Sequence, residues 1–208
     1  MRIAALAATG LLAVVALGVA LLFDGAKPDS VSMTGGPYAG GEAIPGIPLP
    51  AFSLRDESGR TVSSESVRGK VVALTFLDAQ CTDACPVIGE ILARGIDVLT
   101  PAERRGVVAI AISVDPAEDT EEARRTFLVR HRAIGRIRYL SASLKELVPL
   151  WKEFQILATA ISGDDSLHSA PVRIYSRDGQ WLATLHAGAD LSTANIVHDL
   201  RVAVGLVD

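Results

Sequence analysis

The chain has 208 residues, 49% of them apolar and 21% charged, with a formal net charge of -4 at pH 7. That length suits one domain plus a tail, and the composition is that of a globular protein rather than a disordered or fibrous one. The acidic balance, with no cluster of Lys and Arg, sets nucleic acid aside as a partner.

Residues 3–23, IAALAATGLLAVVALGVALLF, carry no charge. About 20 helical residues at 1.5 Å each cross the hydrocarbon core of a bilayer, so the run reads as an N-terminal transmembrane helix. Arg2 before it favours an N-terminus left in the cytoplasm. The rest of the chain is then expected on the extracytoplasmic, periplasmic side of the cytoplasmic membrane, in a single-pass arrangement. A cleaved signal peptide is the competing reading. The run is long for one, ends in Leu21, Leu22 and Phe23, and offers only a poor cleavage point around Gly25-Ala26. No cysteine stands at its end, which argues against a lipoprotein anchor.

Residues 24–50 are dense in Gly and Pro and are read as a linker whose last part packs on the domain as an irregular strand. Residues 51–208 form the domain. FSLRDESGRTV alternates apolar and polar and turns at Ser58-Gly59, which predicts a hairpin. VVALTFL (71–77) and VVAIAISV (107–114) are continuous apolar runs suited to strands buried on both faces. A helix is predicted over 86–99 from Val87, Ile88, Ile91, Leu92 and Ile96. Another follows Asp115-Pro116, acidic at first and basic later, with Asp115 and Asp119 read as caps. SLKELVPLWKEF is a further helix that Pro149 must kink or divide. VRIYS and WLATLHA, joined by Arg177-Asp178-Gly179-Gln180, form a hairpin, and 191–205 a closing helix begun by Ser192 or Thr193. This order indicates an α/β layer fold with a mixed sheet.

The two cysteines, Cys81 and Cys85, are too few to build a disulfide scaffold. They stand too close for a crosslink to remove much chain entropy, so chemistry is the better reading. Leu77-Asp78-Ala79-Gln80-Cys81-Thr82-Asp83-Ala84-Cys85-Pro86 follows a buried strand and precedes a helix. With Pro86 as first helical residue, Cys85 is expected at the helix mouth, biased out of the α region. Free backbone N–H groups and the dipole there lower a thiol pKa. Two such thiols can exchange a disulfide with partners or pinch a soft metal, which needs a third ligand from elsewhere in the fold.

The Cys-x-x-x-Cys-Pro motif, followed by Ser113-Val114-Asp115-Pro116, Asp119-Thr120, His168-Ser169-Ala170 and Asp178-Gly179, resembles the SCO/SenC family from about Phe52 to the C-terminus. The resemblance implies a thioredoxin-like fold, with a mixed central sheet flanked by helices, behind a membrane anchor. It implies a metallochaperone binding copper, Cu(I) or Cu(II), through Cys81, Cys85 and His168. The copper would pass to an oxidase subunit or another copper chaperone, or the redox-active pair would reduce thiols at the dinuclear copper centre of cytochrome c oxidase. A thiol–disulfide oxidoreductase acting on partner cysteines is the alternative, although the usual spacing for that chemistry is one residue shorter. A peroxidase of related fold lacks a convincing set of residues.

The chain departs from the family pattern in Thr82, where Pro usually follows the first cysteine, and in Leu167, where an acidic residue usually precedes the histidine. Asp164 and Asp165 lie close by in sequence. Pro171 follows the histidine, and a trans Ala170–Pro171 bond is the expectation. His131, His186, His198, Trp151 and Trp181 read as structural, and Asp83 as a cap or an electrostatic neighbour of the thiols.

Overall fold

A computed structural model describes residues 36–158 and 168–205. The uncharged N-terminal run lies outside the described residues. Among those described, no helix is long and apolar enough to cross a membrane.

Chain order gives β1 (Gly41–Glu42), β2 (Ser53–Arg55), β3 (Thr61–Ser63), β4 (Val71–Leu77), α1 (Ala84–Val98), α2 (Pro101–Arg105) and β5 (Val107–Ser113). Then come α3 (Glu121–Arg130), β6 (Ile137–Leu140), α4 (Leu144–Glu153), β7 (Val172–Tyr175), β8 (Trp181–Leu185) and α5 (Thr193–Val204). Six strands form one mixed sheet in the order β1-β8-β7-β4-β5-β6, with β2 and β3 as a separate hairpin. β4, β5 and β6 are parallel, whereas β7 runs antiparallel to β4.

All seven residues of β4 are buried because the sheet is covered on both faces. On one face Ile88, Leu92 and Ile96 of α1, Phe127 and Leu128 of α3, and Ile196 and Leu200 of α5 pack on Val71, Ala73 and Leu77. On the other, the β2–β3 hairpin and α4 bring Phe52, Leu54, Leu147 and Trp151 onto Leu74, Phe76, Ile110 and Ile112. Helices α1 and α5 approach so closely that a Cβ at Gly95 would stand 2.5 Å from Cγ2 of Ile196.

The structure corrects several expectations. α4 runs undivided through Pro149, whose missing N–H frees only the carbonyl of exposed Lys145. Thr120, not Asp115 or Asp119, caps α3, its hydroxyl accepting from the Ala123 N–H at 3.1 Å. β6 was not predicted, since IRYL is short and follows polar residues. β1 is two residues long and α2 only five, below what periodicity resolves.

Residues 39–49 run along β8. Gly41 pairs with Thr184 and Glu42 with Ala183, and Pro48 bridges Gln180. The Trp181 N–H donates to the Ile47 carbonyl at 3.0 Å. The fully buried carboxylate of Asp199, on α5, accepts from the N–H groups of Ala39 at 2.7 Å and Gly40 at 3.1 Å.

Candidate metal centre

β4 ends at Leu77 and α1 begins at Ala84, so six residues turn the chain from strand to helix. Asp78 organises that turn. Its carboxylate accepts from the Gln80 N–H at 2.7 Å, and its carbonyl from the Cys81 N–H at 3.3 Å. Cys81 is half-buried on the loop, and Cys85 is fully buried among the side chains under α1. Both are free thiols.

Cys85 is not the residue before the helix, as expected, but lies in its first turn. Pro86 is tolerated there because the first four helical N–H groups have no intrahelical partner anyway. Asp83 stands at the N-cap, yet its side chain makes no capping bond.

His168 enters from the far side of the sequence. Its backbone bridges Ala158, and the next residue is tied twice to Leu157. The Ser169 N–H donates to the Leu157 carbonyl at 2.9 Å, and the Leu157 N–H to Ser169 Oγ at 3.1 Å. These bonds set the imidazole just before β7, with Nε2 3.7 Å from Cys85 Sγ. Nδ1 of His168 is buried with no hydrogen-bond partner among the described residues. The Ala170–Pro171 bond is trans, as are the other described peptide bonds.

The two thiols are electrostatically unequal. The Cys85 thiol donates to the Cys81 sulfur, lowering Cys81 to about 5; the backbone N–H groups of Cys85 and Asp83 act in the same direction, while burial opposes them. Cys85 is pushed up, first by donating its hydrogen bond to Cys81 and then by burial. The pair therefore holds its first negative charge on the more accessible sulfur.

Sequence reasoning missed what lies under the loop. Asp119, almost completely buried, accepts from the Ala79 N–H at 2.8 Å and the Tyr139 hydroxyl at 3.0 Å. Burial raises its carboxyl to about 6. Its place in the D-P-A-E-D run signals a cap, and nothing in the sequence points to a contact 40 residues away.

A cavity of about 970 Å³ opens on the site; Cys81, Cys85, His168, Arg173, Trp181 and His186 line it. His186 lies one residue beyond β8, exposed. His131 and His198 sit elsewhere, against Glu90 and Asp199. Trp151 is packed, its indole N–H bonded to the Ser113 carbonyl at 3.0 Å.

Two sulfurs and an imidazole are the donor set that soft ions such as Cu(I) select. The 3.7 Å between nitrogen and sulfur suits two donors sharing one ion, since bonds of about 2.0 and 2.3 Å opened by a trigonal angle separate them by about 3.7 Å. Among the described residues no trio of His, Cys, Asp or Glu is already arranged to hold an ion. The donors lie together without forming a closed cage.

This arrangement, a mixed sheet with two thiols at its central strand–helix junction and a remote imidazole beside them, is that of a thioredoxin-like α/β protein with a soft-donor site. The SCO1/SenC family model matches residues 47–205, and the chain belongs to that family. A Stutzerimonas stutzeri protein named for copper binding is 29% identical over 137 residues, covering 63% of this chain and 65% of its own. The mitochondrial SCO1 homolog 1 of Arabidopsis thaliana is 29% identical over 66% of this chain and 40% of its own. The chain thus spans just under two thirds of the first relative and less than half of the second. Among solved structures, copper-bound ScoI of Bradyrhizobium japonicum is similar with a TM-score of 0.62 and 25% identity, over 77% of this chain and 99% of that one. BsSco, described as a member of the Sco family of cytochrome c oxidase assembly proteins, is similar with a TM-score of 0.67 and 23% identity, over 80% and 99%.

Proposed function

We propose that this protein binds copper through Cys81, Cys85 and His168 and serves the assembly of cytochrome c oxidase. In this reading it delivers the ion to the dinuclear copper site or reduces the thiols there. The residue 3–23 run is proposed to tether it to the cytoplasmic membrane, with the domain outside. The reading rests above all on the 3.7 Å approach of His168 Nε2 to Cys85 Sγ across 83 residues of sequence. Membership of the family, and relatives named for copper or solved with copper bound, support the same metal.

In the apo protein these residues hold a single proton between two sulfurs, on Cys85, with Cys81 charged. Copper as cargo displaces that proton, because both sulfurs must be thiolates to ligate, so uptake releases acid. The imidazole is a neutral third donor that leaves the site no more charged.

A second reading, a thiol–disulfide oxidoreductase acting on partner cysteines, is favoured by the lowered Cys81, the form that attacks a disulfide. Anaerobic Cu(I) titration of the reduced full chain against a competing chelator separates the two. The expected result is about one tightly held ion per chain, weakened at least ~10-fold in His168→Ala. No retained copper together with rapid exchange of partner disulfides overturns the first reading in favour of the second.

A further inference from the structure

Arg173, in β7, is only 8% exposed and lines the cavity that holds Cys81, Cys85 and His168. One Nη donates to the Phe154 carbonyl, and the guanidinium lies over the Trp181 ring, 4.3 Å from its centroid. Its Nε is buried with no hydrogen-bond partner among the described residues. None of the ion pairs among the described residues includes it. None of the carboxylates on the same cavity wall, Glu42, Asp78 and Asp83, forms an ion pair with it. Arg124, the other buried arginine among the described residues, feels the carboxylates of Asp119, Glu121 and Glu57.

A guanidinium withdrawn from water is normally paired, because uncompensated burial of charge is costly. Arg173 lines the cavity yet forms none of the ion pairs among the described residues. A planar fork of donors fits a carboxylate better than any other common anion on a peptide.

We propose that Arg173 is the anion-binding residue of this cavity, seating a carboxylate of the ligand that reaches the cysteine pair. The ligand class is a carboxylate-bearing thiol compound of about tripeptide size. The cavity of about 970 Å³ is large enough for such a ligand. The sulfurs provide the soft end of the site, Arg173 the anionic end, and the Trp181 ring an apolar wall beside it. Soft ions travel as thiolate complexes, so a ligand with both groups matches both ends. The inference rests on the cysteine pair being the reactive group of the cavity. A free small thiol and an acidic cysteine segment of a partner protein offer the same chemistry.

The test is protection of Cys81 from alkylation by iodoacetamide in the reduced full chain in detergent. The probes are S-methylglutathione, which carries two carboxylates but cannot exchange, its diester, which carries none, and an acidic peptide with serine in place of cysteine. Saturable protection of at least about five-fold is expected from an anionic probe and none from the diester. Protection should vanish in Arg173→Gln and partly return in Arg173→Lys. Protection by S-methylglutathione assigns the site to a small thiol, and protection by the peptide alone to a partner segment. Protection by neither, or equal protection by acid and diester, overturns the proposal. The acid–diester comparison needs only the wild-type protein, so a variant that fails to fold does not spoil it. Failure of copper binding in the titration above would overturn the function reading and leave this result standing, because alkylation reads Cys81 alone.

Discussion

The sulfur side and the imidazole side of the site are built differently. On the sulfur side, a fully buried strand feeds a loop whose backbone is held by Asp78 and by Asp119, and the loop feeds a helix whose first turn carries Cys85. Asp119, itself bonded to Tyr139 of β6, supports the loop from below. On the imidazole side, His168 hangs on one backbone bridge and two bonds between Leu157 and Ser169, and its second ring nitrogen has no described partner. The thiols therefore take their chemistry from the rigid part of the fold. The imidazole takes its position from a short stitch between two segments. A site that must accept and release cargo gains from such inequality: one side stays fixed while the other is weakly held.

The largest effect should lie within the sulfur side itself. Thiolate is the reactive form, and Cys81 is lowered to about 5 while Cys85 is raised. Near pH 6.5 iodoacetamide should label Cys81 at least ~100-fold faster than Cys85, with the rate falling as pH drops through about 5. Mass spectrometry of peptides after timed labelling reads this. Equal labelling would break the comparison at its root.

Next is the support under the loop. Asp119 is raised by burial to about 6 in the fold, against 3.8 for an ordinary aspartate carboxyl. The unfolded chain loses its proton first, so the native state binds more protons between those values. The stabilising contribution is present below about pH 4 and is lost as pH rises through about 6, an effect of ~3 kcal/mol. Urea unfolding across that range should show the fall in wild type and a flatter profile in Asp119→Asn. A profile unchanged by the substitution would remove Asp119 from the account.

The smallest effect belongs to the imidazole side. Ser169→Ala removes the acceptor for the Leu157 N–H and should cost about 1 kcal/mol of stability. It should weaken copper binding a few-fold without changing Cys81 alkylation. A change in alkylation would show that the two sides are mechanically one.

What the sequence made legible follows the same division. β4, β5, α1 and the β7–β8 hairpin were readable because each carries its own apolar run or turn signal. Cys81 and Cys85 were readable because they lie on one such junction. The approach of His168 to Cys85 was not, since no local pattern encodes a contact across 83 residues; only the family resemblance pointed to it. Asp119 and Arg173 were missed for opposite reasons. Asp119 sits where a cap is expected, and its burial depends on Tyr139 from a strand too short to predict. Arg173 is a charge within an apolar strand, VRIYS, a local contradiction that marks a functional position without saying which.

The stretch along β8 bears on where the domain can be cut. Edge strands with bare N–H and C=O groups invite pairing with another molecule, and β8 would be such a strand if residues 39–49 were absent. A fragment started after Pro50, at the first hairpin, would keep the cysteines and the histidine yet present a sticky five-residue ladder to its neighbours. The covering segment thus acts as a built-in guard against self-association, and shortened versions of this protein should begin no later than Tyr38.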